Sequence, residues 1–277
     1  MARKQTEEKS TEREGGMMLD DVRPVCRMDA LTLIQRCHYS KVMPRLSRYY
    51  IGGLSEGRVV AVCTLGWGVR PVHTIKGMFP SLGTADYLEI GKLCVDDECP
   101  TNTESWFLAR VSRWVRHNAP DVKLLFSWAD GIIGKAGYVY QAANYYYGGY
   151  ILSEMYLDSN GVRVHPRTVQ GITRTTTGVR GPRDKATTER LGLTKYWGKQ
   201  FRYVYPLCPK WQWKALQAES PYNWARGNYP KDADCTWQVS RPDGGREECG
   251  NPPFTMGTYA KRWLRPEAKA QPLLLTL

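Results

Sequence analysis

The chain has 277 residues, enough for one medium domain with extensions. Its apolar share of 42%, with 10 Trp and 17 Tyr against 5 Phe, supports a packed core and leaves amphipathic aromatics for surfaces and clefts. No apolar run approaches the roughly 18 residues that a membrane span needs, and residues 1–16 are polar and charged, so a bilayer span and a secretory leader are both excluded. The expectation is a soluble cytoplasmic protein. Cysteines at 26, 37, 63, 94, 99, 208, 235 and 249 form no Cys-x-x-Cys pair and read as reduced thiols. Cys63 and Cys94 lie in strand-like apolar runs, as small buried hydrophobes. The net charge is +12, and residues 158–205 concentrate it: ten Lys and Arg stand there against three acids. Such clustering favours a polyanionic partner.

Residues 1–20 are charge-mixed and read as a tail. A short helix fits Asp29 to Arg36, with Asp29 as its N-cap. Arg48–Ile51 and Val59–Trp67 form a hairpin around turns at Gly52-Gly53 and Glu56-Gly57. Pro71, Gly77, Pro80 and Gly83 make 70–84 a loop. Tyr87–Val95 is a strand. Asn102–Asn118 is the best helix, with Trp106, Phe107, Arg110, Val111, Trp114 and Val115 at helical spacing and capping groups in Thr101 to Ser105. Val122–Trp128 is a central strand, Ala136–Tyr146 a helix closed by Gly148 and Gly149, and Tyr150–Leu157 a strand. Residues 158–198 form a basic insertion without apolar period, 199–207 a last strand, and 208–277 an irregular extension. The fold class is α/β (α+β): a mixed, mostly antiparallel central sheet flanked by helices, with 21–207 as the catalytic domain. The element order is that of the GNAT acyltransferases.

The densest chemistry lies in Ser127-Trp128-Ala129-Asp130-Gly131 and in Lys135 to Tyr145. A strand ending in Ser and Asp places polar groups at a sheet's carboxyl edge, where open α/β sheets bind ligands. Tyr140, Gln141 and Asn144 follow within a helical turn, with Tyr140 and Asn144 on one face. The bland reading packs the tyrosines into the core and makes Asp130 a cap. Four polar side chains in one buried phrase weigh against it.

This phrase, Ser127 to Gly148, resembles the Mom family of phage DNA-modification proteins. His38-Tyr39-Ser40-Lys41, Pro100 with Asn102 and Ser105, His165-Pro166-Arg167 and Arg202-Tyr203-Val204-Tyr205 are similar to that family in the same order. The resemblance covers about residues 28–207. It implies a GNAT-like enzyme of a bacterial host cell that converts adenine in DNA to an acetamido or methylcarbamoyl derivative and so shields phage DNA from restriction. It also implies acetyl-CoA or a related acyl-CoA as donor, and double-stranded DNA with a flipped adenine as substrate. Iron is proposed for the family, with His38, Tyr39 and Asp130 as hard ligands.

Within that implied reaction, Asp130 or His38 takes the amine proton. Tyr140 protonates the departing thiolate, with Tyr39 beside His38. Leu93, Cys94 and Val95 polarise the thioester carbonyl through backbone amides. Asn102, Ser105, Ser127, Gln141 and Asn144 complete the donor site. Arg163, Arg167, Arg174, Arg180, Arg183, Lys185 and Arg202 hold DNA phosphates. Two other classes stay open: a small-molecule or protein N-acetyltransferase, and a non-catalytic DNA-binding protein.

Overall fold

A computed structural model describes residues 18–164, 185–241 and 244–249. The chain divides into two compact units, one of residues 1–74 and 84–123, the other of 75–83 and 124–277. Among the described residues no helix is long and apolar enough to cross a membrane.

The first unit carries four antiparallel strands in the order β1 (Asp21–Pro24), β2 (Leu46–Ser55), β3 (Arg58–Trp67) and β4 (Tyr87–Val95). Every residue of β3 from Val60 to Leu65 is buried. Alternate side chains of a strand leave on opposite faces, so both faces of β3 are covered. Helix α1 (Arg27–Cys37) packs Ala30, Leu33 and Ile34 with Met43, Val62 and Cys94. Helix α3 (Thr103–Asn118) packs against β1, β3 and β4 and buries Phe107, Leu108, Val111, Ser112 and Val115. Cys63 and Cys94 are buried as expected.

Several boundaries differ from the sequence reading. Cys26, not Asp29, caps α1: its sulfur accepts from Asp29 N–H at 3.3 Å. Gly52 and Gly53 are strand residues rather than a turn, because Val25 and Leu19 lie where their Cβ atoms would be. Glu56 and Gly57, at φ 50° and 77°, make the actual hairpin turn. The expected loop contains helix α2 (Pro71–Met78), with Pro71 at its first position and Ile75 and Met78 buried. Proline there starts a helix instead of breaking one.

The second unit is built around one long strand. β8 (Thr194–Pro206) pairs antiparallel with β6 (Tyr146–Leu157) along one edge. Along its other edge it pairs with β5 (Leu124–Ala129) from Phe201 to Pro206, and with β9 (Trp237–Ser240) from Tyr196 to Gly198. β7 (Arg163–Val164) extends β6, and β10 (Arg246–Cys249) extends β9. Helix α4 is only Tyr138–Ala142, not the eleven-residue helix expected; Asn144 at φ 59° ends it, and Tyr146 already belongs to β6. Helices α5 (Lys185–Arg190) and α6 (Lys210–Glu219) complete the unit. The C-terminal extension is thus structured in large part, with Trp213 of α6 buried against Phe79 and Tyr146.

Two glycines separate steric from conformational demands. A Cβ on Gly66 would collide with the backbone of Leu46 and Ser47, whereas Gly57 has open space but a left-handed backbone. Gly66→Ala is expected to cost about 2–3 kcal/mol and Gly57→Ala about 1 kcal/mol in urea unfolding. Equal midpoints for the two variants would contradict this ranking.

Candidate active site

β5 reads Leu-Leu-Phe-Ser-Trp-Ala and is buried at every position but Trp128. Antiparallel pairing sets Ser127 opposite Tyr203 of β8. Both are fully buried, and Tyr140 of α4 lies against them, its ring 5.3 Å from that of Tyr203. The Ser127 and Tyr140 hydroxyls share a hydrogen bond of 2.7 Å. The Tyr203 hydroxyl donates to the Ala136 carbonyl at 2.6 Å and accepts from the Gln141 amide at 3.1 Å. Gln141 also donates to the Pro230 carbonyl at 2.8 Å and accepts from Lys231 at 3.3 Å. The Tyr229 hydroxyl donates to the Tyr145 carbonyl at 2.7 Å. Residues 229–231 therefore clasp α4 from the C-terminal segment. Burial pushes the Tyr203 phenol well above its ordinary range, and that of Tyr147 up to about 12. Both phenols stay neutral near pH 7, and that of Tyr203 donates a hydrogen bond.

Asp130 stands at the carboxyl end of β5, where β8 loses its neighbour. Between the last residue paired with β5, Phe201, and the first paired with β9, Gly198, the turn Gly131–Ile133 fills the edge of β8. The Asp130 carboxylate accepts from the Gln200 amide at 2.8 Å and makes no cap to the turn that follows, so the cap reading does not hold. Trp237 secures the turn by donating to the Ile132 carbonyl at 2.9 Å. Asn144 is exposed beyond the end of α4 and shares no helical face with Tyr140.

In the first unit, His38 ends α1 and is 9% exposed. Its Nδ1 accepts from Ser40 N–H at 2.9 Å, which in the neutral ring leaves the proton on Nε2. Its ring stacks on Tyr39 at 4.3 Å, and the Lys92 ammonium lies 5.7 Å from the Tyr39 ring. Leu93, Cys94 and Val95 end β4, opposite Cys63, Val62 and Ala61, and burial pushes the Cys94 thiol up to about 12. Asn102 precedes α3 at φ 71° and makes no side-chain cap. The Ser105 and Thr103 hydroxyls turn back to the carbonyls of Asn102 and Pro100 instead of capping the helix. The first-turn amides of α3 are thus left without side-chain caps, a setting that fits a phosphate.

A metal fits poorly. Among the described residues no three His, Cys, Asp or Glu side chains gather as a ligand set, and His38 and Asp130 belong to different units. The iron expectation finds no support among the described residues.

Of the expected phosphate-binding residues, Arg167, Arg174, Arg180 and Arg183 lie outside the described residues, and Lys185 opens α5. Arg163 sits on β7. Arg202 is only 7% exposed: its guanidinium donates to the Gly148 carbonyl at 3.0 Å and stacks 4.0 Å from the Tyr222 ring, so it braces the site's aromatic wall. Nearby cations rest on aromatics: Lys199 over Tyr150, and Lys195 and Arg246 over Trp197.

Three features were not anticipated: the central place of Tyr203, the clasp at Tyr229–Lys231, and Glu89. Glu89 lies in the middle of β4, where a carboxylate inside Tyr-Leu-Glu-Ile was the available signal. Burial raises it to about 7 against a hydrogen bond from Gly68 N–H, and among the described residues no cation pairs with it. A carboxyl that exchanges its proton near neutrality has the range a general base needs.

The chain matches the Mom protein family over residues 21–231. It is 30% identical over 175 residues to the methylcarbamoylase Mom of Escherichia phage Mu, covering 63% of this chain and 70% of that protein. Solved structures with a similar course include an aminoglycoside 6'-acetyltransferase type Ii, with 8% identity, a TM-score of 0.38, and coverage of 69% of this chain and 99% of that one. An agmatine N-acetyltransferase mutant gives 14% identity, a TM-score of 0.36, and coverage of 67% and 98%.

The Glu89 carboxyl makes stability depend on pH. Its raised folded value means the native state holds the proton more tightly than the unfolded chain. The contribution is therefore complete below about 4.5 and lost as pH rises through about 7. Glu89→Gln is expected to remove that slope and to stabilise the protein at pH 8 by at most about 3 kcal/mol. Parallel pH profiles of the unfolding midpoint for both proteins would contradict it.

Proposed function

The chain belongs to the Mom protein family, and on that premise we propose that it is a phage-type DNA-modifying transferase that places an acyl-derived group on the exocyclic amine of adenine and so protects DNA from restriction. The observation that carries this reading is the Ser127–Tyr140–Tyr203 hydroxyl cluster beside Asp130 at the carboxyl end of β5, inside the matched region.

Adenine's exocyclic amine is a weak nucleophile because its lone pair is delocalised into the ring, so a positioned proton acceptor is needed. Asp130 supplies it, oriented by Gln200. Tyr140 hands a proton to the leaving group; when Ser127 donates within their shared hydrogen bond, the phenol proton serves another acceptor. Tyr147, Tyr150 and Trp128 offer aromatic faces for a base drawn from the duplex. His38 and Tyr39 supply a second proton-handling pair.

An acyl-CoA donor fits the uncapped start of α3. Asn102, Ser105 and the first-turn amides would hold its pyrophosphate, and the Leu93–Val95 backbone would face its thioester. When bound it supplies the activated acyl carbon. The basic stretch from Arg163 through Lys185 holds the duplex backbone.

Nucleoside mass spectrometry of DNA from expressing cells is expected to reveal a modified deoxyadenosine. Asp130→Asn and Tyr140→Phe should each reduce it at least a hundredfold while circular dichroism stays native. Ser127→Ala with Tyr140→Phe removes both hydroxyls and controls for an orphaned buried group. Unmodified DNA with the intact protein, or full modification by both single variants, would contradict the assignment.

A further inference from the structure

Helix α3 has an outward face that the reaction does not use. Its inward residues are Phe107, Leu108, Val111, Ser112 and Val115. Trp106, Arg110, Arg113 and His117 recur at helical spacing on the other side, and all four are exposed, Trp106 by 40%. The single carboxylate of the helix, Glu104, stands in its first turn.

Arg110 and the nearby Arg48 are braced. The Arg110 guanidinium lies 4.7 Å from the Trp106 ring centre. One turn beyond Arg110, Trp114 meets Tyr49 edge-on at 5.2 Å, and Arg48 stacks 5.0 Å from the Tyr49 ring. Arginines held on aromatic planes lose less freedom when they grip an anion. Among the described residues neither Arg110 nor Arg113 has an acidic partner. The groove beside the helix, about 490 Å³, has Leu19–Val22 as its far wall. The two acids of that wall are engaged: Asp20 accepts from Glu56 N–H at 2.8 Å, and Asp21 pairs with Arg23 at 3.3 Å.

We propose that this face of α3, with Arg48, is a docking surface for the phosphate backbone of duplex DNA. The inference rests on the DNA reading above. From Trp106 to His117 the stripe runs about 16 Å, the axial length of roughly four or five phosphates on one strand. Charge complementarity selects the occupant: three arginines and a histidine are exposed, and two of the arginines rest on aromatic rings. Contacts of this kind carry affinity without sequence preference.

The test uses the full chain and fluorescence anisotropy on several unrelated duplexes across a salt series. Arg110→Ala with Arg113→Ala is expected to weaken binding to all duplexes alike, by about tenfold, and to flatten the log-affinity against log-salt slope by about 1.8. Arg110→Lys with Arg113→Lys should keep most of the slope, and Lys210→Ala with Lys214→Ala on α6 should change neither quantity. Unchanged affinity and slope in the double-alanine variant would overturn the proposal while leaving the DNA reading standing. A variant with unchanged DNA affinity but a raised KM for acyl-CoA would assign the face to the donor and overturn it as well. Failure of the unsubstituted protein to bind any duplex overturns the DNA reading itself, and this proposal with it.

Discussion

The hydrogen bond between the Ser127 and Tyr140 hydroxyls fixes the geometry on which the second unit's site depends. Both groups are out of water, so either one left alone would cost about 1–3 kcal/mol. Meeting that demand forces the short helix α4 against β5 and β8. Gly137, at φ 89°, permits the approach, since a Cβ there would sit 2.7 Å from both Ala129 and Tyr203. Gln141 then falls within reach of Tyr203 and of the Pro230 carbonyl, and the C-terminal segment is drawn onto the site. A polar network buried this way is specific because each member satisfies another.

Strand and helix cores were readable from the sequence where periodicity was strong. Tyr87–Val95 was placed to the residue, and α3 within one. The failures share a cause: local signals were overridden by packing partners far away in sequence. Gly52-Gly53 looks like a turn until Leu19 and Val25 occupy the space beside it. Pro71 and Gly77 look like breakers, yet proline suits a helix's first position and Ile75 and Met78 supply the buried side. The helix forecast over 136–146 ran too long, because Asn144 takes a left-handed backbone just past Ala142 and β6 begins at Tyr146. Of the candidate site, Ser127 and Asp130 stood out as polar residues at a strand's end, and Tyr140 as a hydroxyl in the helix that follows. Tyr203 was quoted only as part of a phrase, because its role depends on cross-strand register. The clasp at Tyr229–Lys231 depends on contacts some ninety residues apart in sequence, which composition does not reveal.

Several cations among the described residues rest on aromatic rings. Arg202 lies against Tyr222, Arg226 against Tyr146, Lys199 against Tyr150 and Arg110 against Trp106. Such pairs are worth about 0.5–1 kcal/mol at exposed sites. Their larger effect is to hold long side chains in one rotamer, which gives tryptophan and tyrosine a structural purpose on the surface. The high count of both residues, against few phenylalanines, is consistent with that use.

β8 also acts as a ruler. Lys195 and Tyr203 lie on one continuous strand, eight residues apart. At about 3.3 Å per residue the separation is roughly 25 Å, set by the backbone and indifferent to side-chain motion. The Lys195–Glu154 ion pair near one end and the buried Tyr203 phenol near the other are thus held a set distance apart within the second unit, so a change in strand register would move both together.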